Sequence, residues 1–184
     1  LDDFRILLDL YEDRAPQPWL MVGHSMGAAL NLLSLQTGET RFVGAVLSGP
    51  MLKIRTDKHP LWSVKLAVRW NLRNGRAGEF VLNDPDDPFS HTFEKDALTT
   101  DEGRYELCRQ QLFGCPHLAI GGPTWGWLAF AIEAGERALR GRALKSVQIP
   151  VTVVQAADDT RVLKQASRQA AQQLPKGVYI EVEG

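Results

Sequence analysis

The chain has 184 residues, 44% of them hydrophobic, with a formal net charge of -1 and a sequence pI near 6.5. This apolar content suffices for one globular core, and the balanced charge gives no reason to expect nucleic acid as a partner. The two cysteines, Cys108 and Cys115, have the spacing of neither a zinc pair nor a disulfide framework, and no apolar run is long enough to cross a bilayer.

The first forty residues predict a helix, a strand and a second helix. Apolar residues repeat at helical spacing from Leu1 to Tyr11, which indicates a helix that packs along one side. The run 19–22 is wholly apolar and stops at Gly23, as expected of a strand buried on both faces. The segment 26–36 is rich in Ala, Leu and Met, which favours a helix.

The alternation of strands and helices continues after a long interruption. Segments 42–47, 151–155 and 178–182 each have the composition of a buried strand. Strand, helix and strand in this order imply parallel pairing through right-handed crossovers. Residues 51–145 instead indicate two or three amphipathic helices and irregular loops. We therefore predict an α/β fold in which residues 1–50 and 146–184 form the core and residues 51–145 form an inserted helical cap.

A candidate nucleophile lies between the first strand and the second helix. Residues 23–27 read Gly-His-Ser-Met-Gly, the G-x-S-x-G pattern of a nucleophile elbow in the α/β-hydrolase fold. The two glycines are expected to permit a sharp turn, because the neighbouring chain approaches too closely for side chains there. We predict that Ser25 is exposed at a helix N-terminus as the nucleophile, and that the Met26 N–H is one donor of the oxyanion hole.

The carboxylate of a serine hydrolase triad is expected in the loop after a later strand. Residues 151–155 supply the strand, and Asp158 and Asp159 follow in the loop. Both are candidates for the acid, and a turn or helix-capping role is the structural alternative.

The third member of a triad, a histidine, should come after the acid in this fold. The chain contains His24, His59, His91 and His117, all of which precede it. Three explanations compete: a chain cut at both ends, a catalytically dead hydrolase, or a base recruited out of order. The first is favoured, because the sequence begins without Met, the strands expected before the elbow are missing, and the last strand stops where the histidine loop should begin. We then expect a histidine within about ten residues after Gly184. His24 is expected to pack or to support the site, because its backbone direction points it away from Ser25.

Four segments carry a resemblance to a known family. They are Gly-His-Ser-Met-Gly-Ala at 23–28, Leu-Ser-Gly-Pro-Met at 47–51, Leu-Thr-Thr-Asp at 98–101 followed by Arg104-Tyr105, and Gly-Gly-Pro-Thr-Trp-Gly-Trp at 121–127. Together they resemble bacterial PldB-type lysophospholipases and the related monoacylglycerol lipases. Members with an acid in the later loop place a hydrophobic residue three positions beyond it, as Val162 stands to Asp159, so the resemblance favours Asp159 over Asp158.

The resemblance implies a lid of helices over a serine esterase site. It implies hydrolysis of the acyl ester of a lysophospholipid or monoacylglycerol through an acyl-enzyme, with a small lipid as substrate and neither cofactor nor metal. The chain alone is expected to be inactive, because the histidine is missing. The alternatives are another hydrolase of this fold, such as a thioesterase or aminopeptidase, or a non-catalytic membrane- or lipid-binding module.

Two features of the predicted cap bear on lipids. Residues 60–73 combine bases at 65, 69 and 73 with Trp62, Leu66 and Trp70, so this helix is either an ordinary cap helix or one that lies on an anionic membrane. Trp125 and Trp127 are either residues of an acyl pocket or core residues. We expect a cytoplasmic protein, with peripheral contact at the inner membrane through the cap.

Overall fold

The computed structural model describes residues 1–56, 59–95 and 99–183. It divides into two compact units: the first comprises residues 1–55 and 131–184, and the second residues 56–130. The boundary after Phe130 falls within a helix. The predicted limits of the insertion, 51–145, stay a prediction.

The first unit contains the sheet and the helices on it. Its strands are β1 (Trp19–His24), β2 (Phe42–Ser48), β3 (Val151–Ala156) and β4 (Gly177–Val182). Its helices are α1 (Asp2–Tyr11), α2 (Met26–Gln36), the C-terminal part of α5 (Trp125–Ala138), α6 (Gly141–Leu144) and α7 (Lys164–Gln173). All neighbouring strands are parallel, in the order β1-β2-β3-β4. The predicted parallel α/β architecture is confirmed.

One face of this sheet carries the core. Met21 on β1 and Val153 on β3 are at most 3% exposed, and they share one buried cluster with Leu32 of α2 and Ala170 of α7. Both helices therefore cover the same face, where burial of their apolar side chains stabilises the unit. Of the predicted packed positions on α1, Leu8 is buried, whereas Leu7 and Tyr11 are about half exposed.

The opposite face of the sheet is apolar and open in the described residues. Burial alternates along the strands, and six side chains of the open face are 38–75% exposed: Leu20, Val22, Val46, Val178, Ile180 and Val182. The expectation of strands buried on both faces is therefore wrong for this part of the protein. The composition of the strands suits two covered faces, but the described helices cover one.

A polar cluster holds α1 to the loop before β2. The Arg41 guanidinium lies 2.6 Å from Asp9 Oδ1 and 2.7 Å from Glu39 Oε2, and Arg41 Nε donates to Glu39 Oε1. The Glu39 side chain is only 6% exposed. Hydrogen bonding from Arg41 lowers the pKa of Glu39 below its ordinary value of 4.5, against the opposing effect of burial.

This cluster predicts an acid-dependent part of the stability. Because the pKa of Glu39 is lowered on folding, its contribution is complete above about pH 4.5 and is lost as the pH falls through the folded-state value. We expect Glu39→Gln to reduce the free energy of unfolding by about 1–2 kcal/mol at pH 7 and to have little effect at pH 2–3. Urea denaturation across this pH range measures both values. Glu12→Gln is the control, because Glu12 is half exposed and 3.4 Å from Arg41, and should cost less than about 0.5 kcal/mol; equal losses would contradict the assignment.

The second unit contains helices and short turns. Its helices are α3 (Leu61–Arg73), α4 (Glu102–Gly114) and the N-terminal part of α5, with 3₁₀ turns at Val81–Asn83, Pro88–Ser90, Phe93–Lys95 and Pro116–Leu118. Among the described residues, no helix is both long and apolar enough to cross a membrane.

The sequence signatures of this unit have structural roles. Backbone hydrogen bonds of 2.7–3.0 Å join residues 77–85 to residues 122–126. A Cβ at Gly121 would lie 2.5 Å from the Pro85 carbonyl oxygen, so only glycine fits the close approach. Asp101 accepts a hydrogen bond from the Arg104 N–H and thereby caps α4. Leu98, in the same signature, lies outside the described residues.

Candidate active site

Ser25 occupies a strained turn between β1 and α2. Its backbone has φ 50° and ψ -115°, a conformation that non-glycine residues adopt rarely. The Ser25 N–H donates to the Ser48 carbonyl at 2.9 Å, and the Ser25 carbonyl accepts from the Met51 N–H at 3.0 Å. Bonds from neighbouring segments on both sides of the peptide hold the residue in this conformation.

The two glycines of the motif have different roles. A Cβ at Gly23 would lie 2.5 Å from Asn31 Nδ2 and 2.8 Å from the Ala28 nitrogen, so β1 and α2 approach too closely for a side chain. For Gly27, no described atom outside its chain neighbours and the backbone of its own helix lies within 4 Å of the Cβ position. The expectation of close approach is correct for Gly23 and wrong for Gly27 within the described residues, because Gly27 faces away from the sheet contact.

The Ser25 side chain lies at the start of α2. It is partly buried, and within the described chain its hydroxyl does not cap the helix. Met26 is the first helical residue and is 39% exposed. First-turn N–H groups lack carbonyl partners inside a helix, and the helix dipole favours negative charge there. The position suits an oxyanion donor, and the role of Met26 stays a prediction.

The Asp159 carboxylate is held by three hydrogen bonds in the loop after β3. Its Oδ1 accepts from the N–H groups of Arg161 and Val162, at 2.7 and 2.9 Å, and its Oδ2 accepts from Gln155 Nε2 at 2.8 Å. The two hydrogen bonds to Oδ1 come from backbone N–H groups two and three residues later, as in a turn that an aspartate side chain stabilises. They fit the turn role that was the alternative to catalysis. Since a carboxylate oxygen has two lone pairs, Oδ2 can accept one further donor. Asp158, by contrast, is exposed.

Gln155 and Ser167 support Asp159 and were not predicted. Both are fully buried. While Gln155 Nε2 donates to Asp159, Gln155 Oε1 accepts from the Ser167 hydroxyl at 2.7 Å. Both ends of the amide are thereby used, which fixes its orientation. A sequence signal existed, because side chains alternate along a strand and position 155 therefore shares the face of Val151 and Val153. That face is the core, where a buried polar group needs hydrogen-bond partners.

Ser25 and Asp159 lie at the same edge of the sheet, on either side of the end of β2. Ser25 bonds to the last residue of β2, Ser48, and the next residue, Gly49, donates to the Val154 carbonyl on β3 at 2.8 Å. Gly49 has φ 47°, and a Cβ there would lie 3.7 Å from Asp159 Oδ2 and 3.5 Å from His24 Cε1. The carboxyl ends of three strands therefore bring the candidate nucleophile and acid to one place.

The histidines do not complete a triad in the order of this fold. His24 is exposed at the end of β1, with Nδ1 3.3 Å from Ser48 Oγ. His59, His91 and His117 belong to the second unit, where His91 Nε2 lies 2.8 Å from Asp86 Oδ1. The predicted supporting role of His24 stays a prediction.

The candidate pocket residues lie at the start of α5. Trp125 is partly buried, and its backbone N–H donates to the Glu79 carbonyl. Trp127 is 38% exposed. Both belong to the second unit. Their role in binding an acyl chain stays a prediction. In the part of the chain that the structure describes, no group of three or more His, Cys, Asp or Glu side chains is placed to hold a metal ion.

A serine on a strained turn at the carboxyl edge of a parallel sheet is the arrangement of an α/β-hydrolase. The chain belongs to the Hydrolase_4 family, described as serine aminopeptidase, S33, which it matches over residues 1–181. The predicted fold class is thereby confirmed.

Known relatives agree with the predicted resemblance. Lysophospholipase L2 of Escherichia coli (strain K12) is 27% identical over 129 residues, which are 68% of this chain and 38% of the relative. A monoacylglycerol lipase from Paleococcus ferrophilus superposes with a TM-score of 0.64 at 19% identity, covering 99% of this chain and 64% of that structure. A soluble variant of monoglyceride lipase from Saccharomyces cerevisiae has a TM-score of 0.69 at 16% identity, covering 100% and 58%.

The predicted resemblance to lysophospholipases and monoacylglycerol lipases is confirmed by these matches. The chain spans well under half of the length of the curated relatives it matches, 38%. The family description supports hydrolysis as the reaction class.

Proposed function

We propose that this chain carries the nucleophile and the acid of a serine esterase that hydrolyses the acyl ester of a lysophospholipid or monoacylglycerol. The observation that carries the proposal is the strained Ser25 at the start of α2. It lies at the same sheet edge as Asp159, whose carboxylate accepts three hydrogen bonds. The names of the relatives, a lysophospholipase and two monoacylglycerol lipases, support the substrate class.

The proposed reaction has two steps. The Ser25 hydroxyl gives its proton to a histidine and attacks the acyl carbonyl, and the Met26 N–H stabilises the oxyanion. Collapse of the tetrahedral intermediate expels the alcohol, which takes the proton from the histidine. Water then repeats the sequence, releasing the fatty acid and freeing Ser25. Asp159 orients the histidine and stabilises its charged form.

We place this histidine in the polypeptide that follows β4. The Ala157 N–H donates to the Val182 carbonyl at 2.9 Å, so the end of β4 lies beside the loop that holds Asp159. A residue soon after β4 would therefore start from a position beside this loop, and we propose that its imidazole bonds to Asp159 Oδ2. Chain order in this fold, with the histidine after the acid, supports the same position.

A second candidate is an aminopeptidase, which the description of the matched family favours, and a third is another hydrolase of the same fold. Amide and ester hydrolysis share the same nucleophile and acid, so Ser25 and Asp159 do not separate them. The two reactions are separated by the acyl donor that the full-length protein accepts, which is an ester in one case and an aminoacyl amide in the other.

Labelling by a fluorophosphonate probe tests the proposal. We expect the full-length protein to be labelled at Ser25, and Ser25→Ala to abolish labelling, because the probe reacts with an activated serine. Ser48→Ala is the matched control, since Ser48 ends the neighbouring strand, and it should still be labelled. No labelling of the wild-type protein would favour the non-catalytic binding module.

Competition during the same reaction identifies the substrate. Monoacylglycerol or lysophospholipid should slow labelling more than a thioester or an aminoacyl amide of matched chain length, because a bound substrate occupies Ser25. Stronger protection by the aminoacyl amide would replace the esterase proposal by the aminopeptidase.

A further inference from the structure

Helix α3 presents large apolar side chains outward. Trp62, Leu66 and Trp70 are 70%, 63% and 55% exposed. They recur every four residues and therefore form one stripe on the helix. Val68 and Asn71, on the other side, are buried. A helix packed in a soluble protein normally turns such residues inward. An exposed apolar stripe of this kind indicates a surface that binds another molecule or a membrane.

Positive charge accompanies the stripe. The helix contains Lys65, Arg69 and Arg73 and no acidic residue. At 100° per residue, Arg69 and Arg73 fall in the same sector as Trp62, Leu66 and Trp70, and both arginines are exposed. Just beyond the helix, the Arg76 guanidinium lies 5.3 Å from the centre of the Trp70 ring. Indole and guanidinium groups thus alternate over one outward face.

This combination fits one kind of surface. Trp is enriched at the boundary between headgroups and acyl chains, where its ring is apolar and its N–H remains hydrated. Arg and Lys attract anionic headgroups, and their stems cover apolar surface. A purely protein-binding stripe would not require the excess of positive charge, and nucleic acid would not require the exposed leucine.

We infer that the outward face of α3, formed by Trp62, Leu66, Arg69, Trp70 and Arg73, docks the protein on an anionic phospholipid surface with the helix lying in the plane of the interface. The inference does not depend on catalysis at Ser25. It gives an enzyme of the proposed class access to substrates that reside in a bilayer.

Sedimentation with vesicles tests this inference. The full-length protein carrying Ser25→Ala, which prevents turnover of the lipid, is mixed with vesicles of phosphatidylcholine alone or with one quarter phosphatidylglycerol. We expect binding to the anionic vesicles that weakens with added salt. We expect Trp62→Ala/Trp70→Ala and Arg69→Glu/Arg73→Glu each to weaken it about tenfold or more.

Matched controls lie on other parts of the same unit. Leu107→Ala/Ile120→Ala removes exposed apolar side chains, and Arg104→Glu/Arg109→Glu reverses exposed charges on α4; both should bind as the parent does. Thermal unfolding midpoints show that each variant is folded. Equal loss in the controls, or unchanged binding in the α3 variants, would overturn the inference. So would a dimer that the α3 variants dissociate without any vesicle binding, since a second copy would then cover the face.

Discussion

Asp159→Asn should lower kcat of the full-length enzyme by about 10³- to 10⁴-fold and leave KM nearly unchanged. The neutral amide no longer stabilises a charged histidine, and its NH₂ group favours the wrong tautomer. The fold should tolerate the change. Oδ1 of the new side chain still accepts from the backbone of residues 161 and 162, and the Gln155 amide can turn over because the Ser167 hydroxyl both donates and accepts.

The chain provides its own control for this experiment. Asp158 is the adjacent carboxylate and is exposed, so Asp158→Asn should change kcat by less than about twofold. Hydrolysis of a soluble short-chain ester, followed for both variants with thermal unfolding as a check of folding, gives the comparison. If Asp158→Asn were the damaging change, or both were mild, the acid would have to be assigned elsewhere.

The local features of the site were accessible from the sequence because they depend on neighbours along the chain. The apolar run before Gly23 and the Ala- and Leu-rich run after Ser25 predicted a strand and a helix, and the structure has β1 at Trp19–His24 and α2 at Met26–Gln36. A turn squeezed between two such elements requires a glycine where they touch, and Gly23 fulfils that requirement.

The inward position of Gln155 was accessible from the alternation along β3, but the partners of its side chain were not. Gln155 meets Asp159 four residues later and Ser167 twelve residues later, and only the path of the loop and of α7 brings these groups together. Likewise, the apolar composition of the strands predicts two covered faces, but which segments cover them is set by tertiary packing. Val22 and Ile180, on the face that is open in the described residues, are 75% and 44% exposed, so the composition of these strands does not tell which segments cover them.

The exposure of α3 has the same origin. The spacing of Trp62, Leu66 and Trp70 predicts an amphipathic helix, and helical periodicity specifies which residues share a face. It does not specify whether that face turns toward the protein or away from it. Here the buried positions, Val68 and Asn71, lie opposite, so the aromatic face is the outer one.

Gly23→Ala should destabilise the protein by about 3 kcal/mol or more, whereas Gly27→Ala should stabilise it by about 0.5–1 kcal/mol. The methyl group at position 23 meets backbone atoms of Ala28 at 2.8 and 2.9 Å. Backbone cannot rotate away as a side-chain end can, so β1 and α2 must separate. The same shift moves Ser25, which joins them, and labelling at Ser25 should fall together with stability.

Gly27 lies in the first turn of α2, and no described atom outside its chain neighbours and the backbone of its own helix lies within 4 Å of its Cβ position. Alanine there gains helix propensity and reduces the entropy of the unfolded chain. Urea denaturation of the full-length protein and its two variants measures both free energies. The opposite signs separate the close contact at Gly23 from a general requirement for glycine in the motif; a loss at Gly27 would instead place a segment outside the described residues against the start of α2.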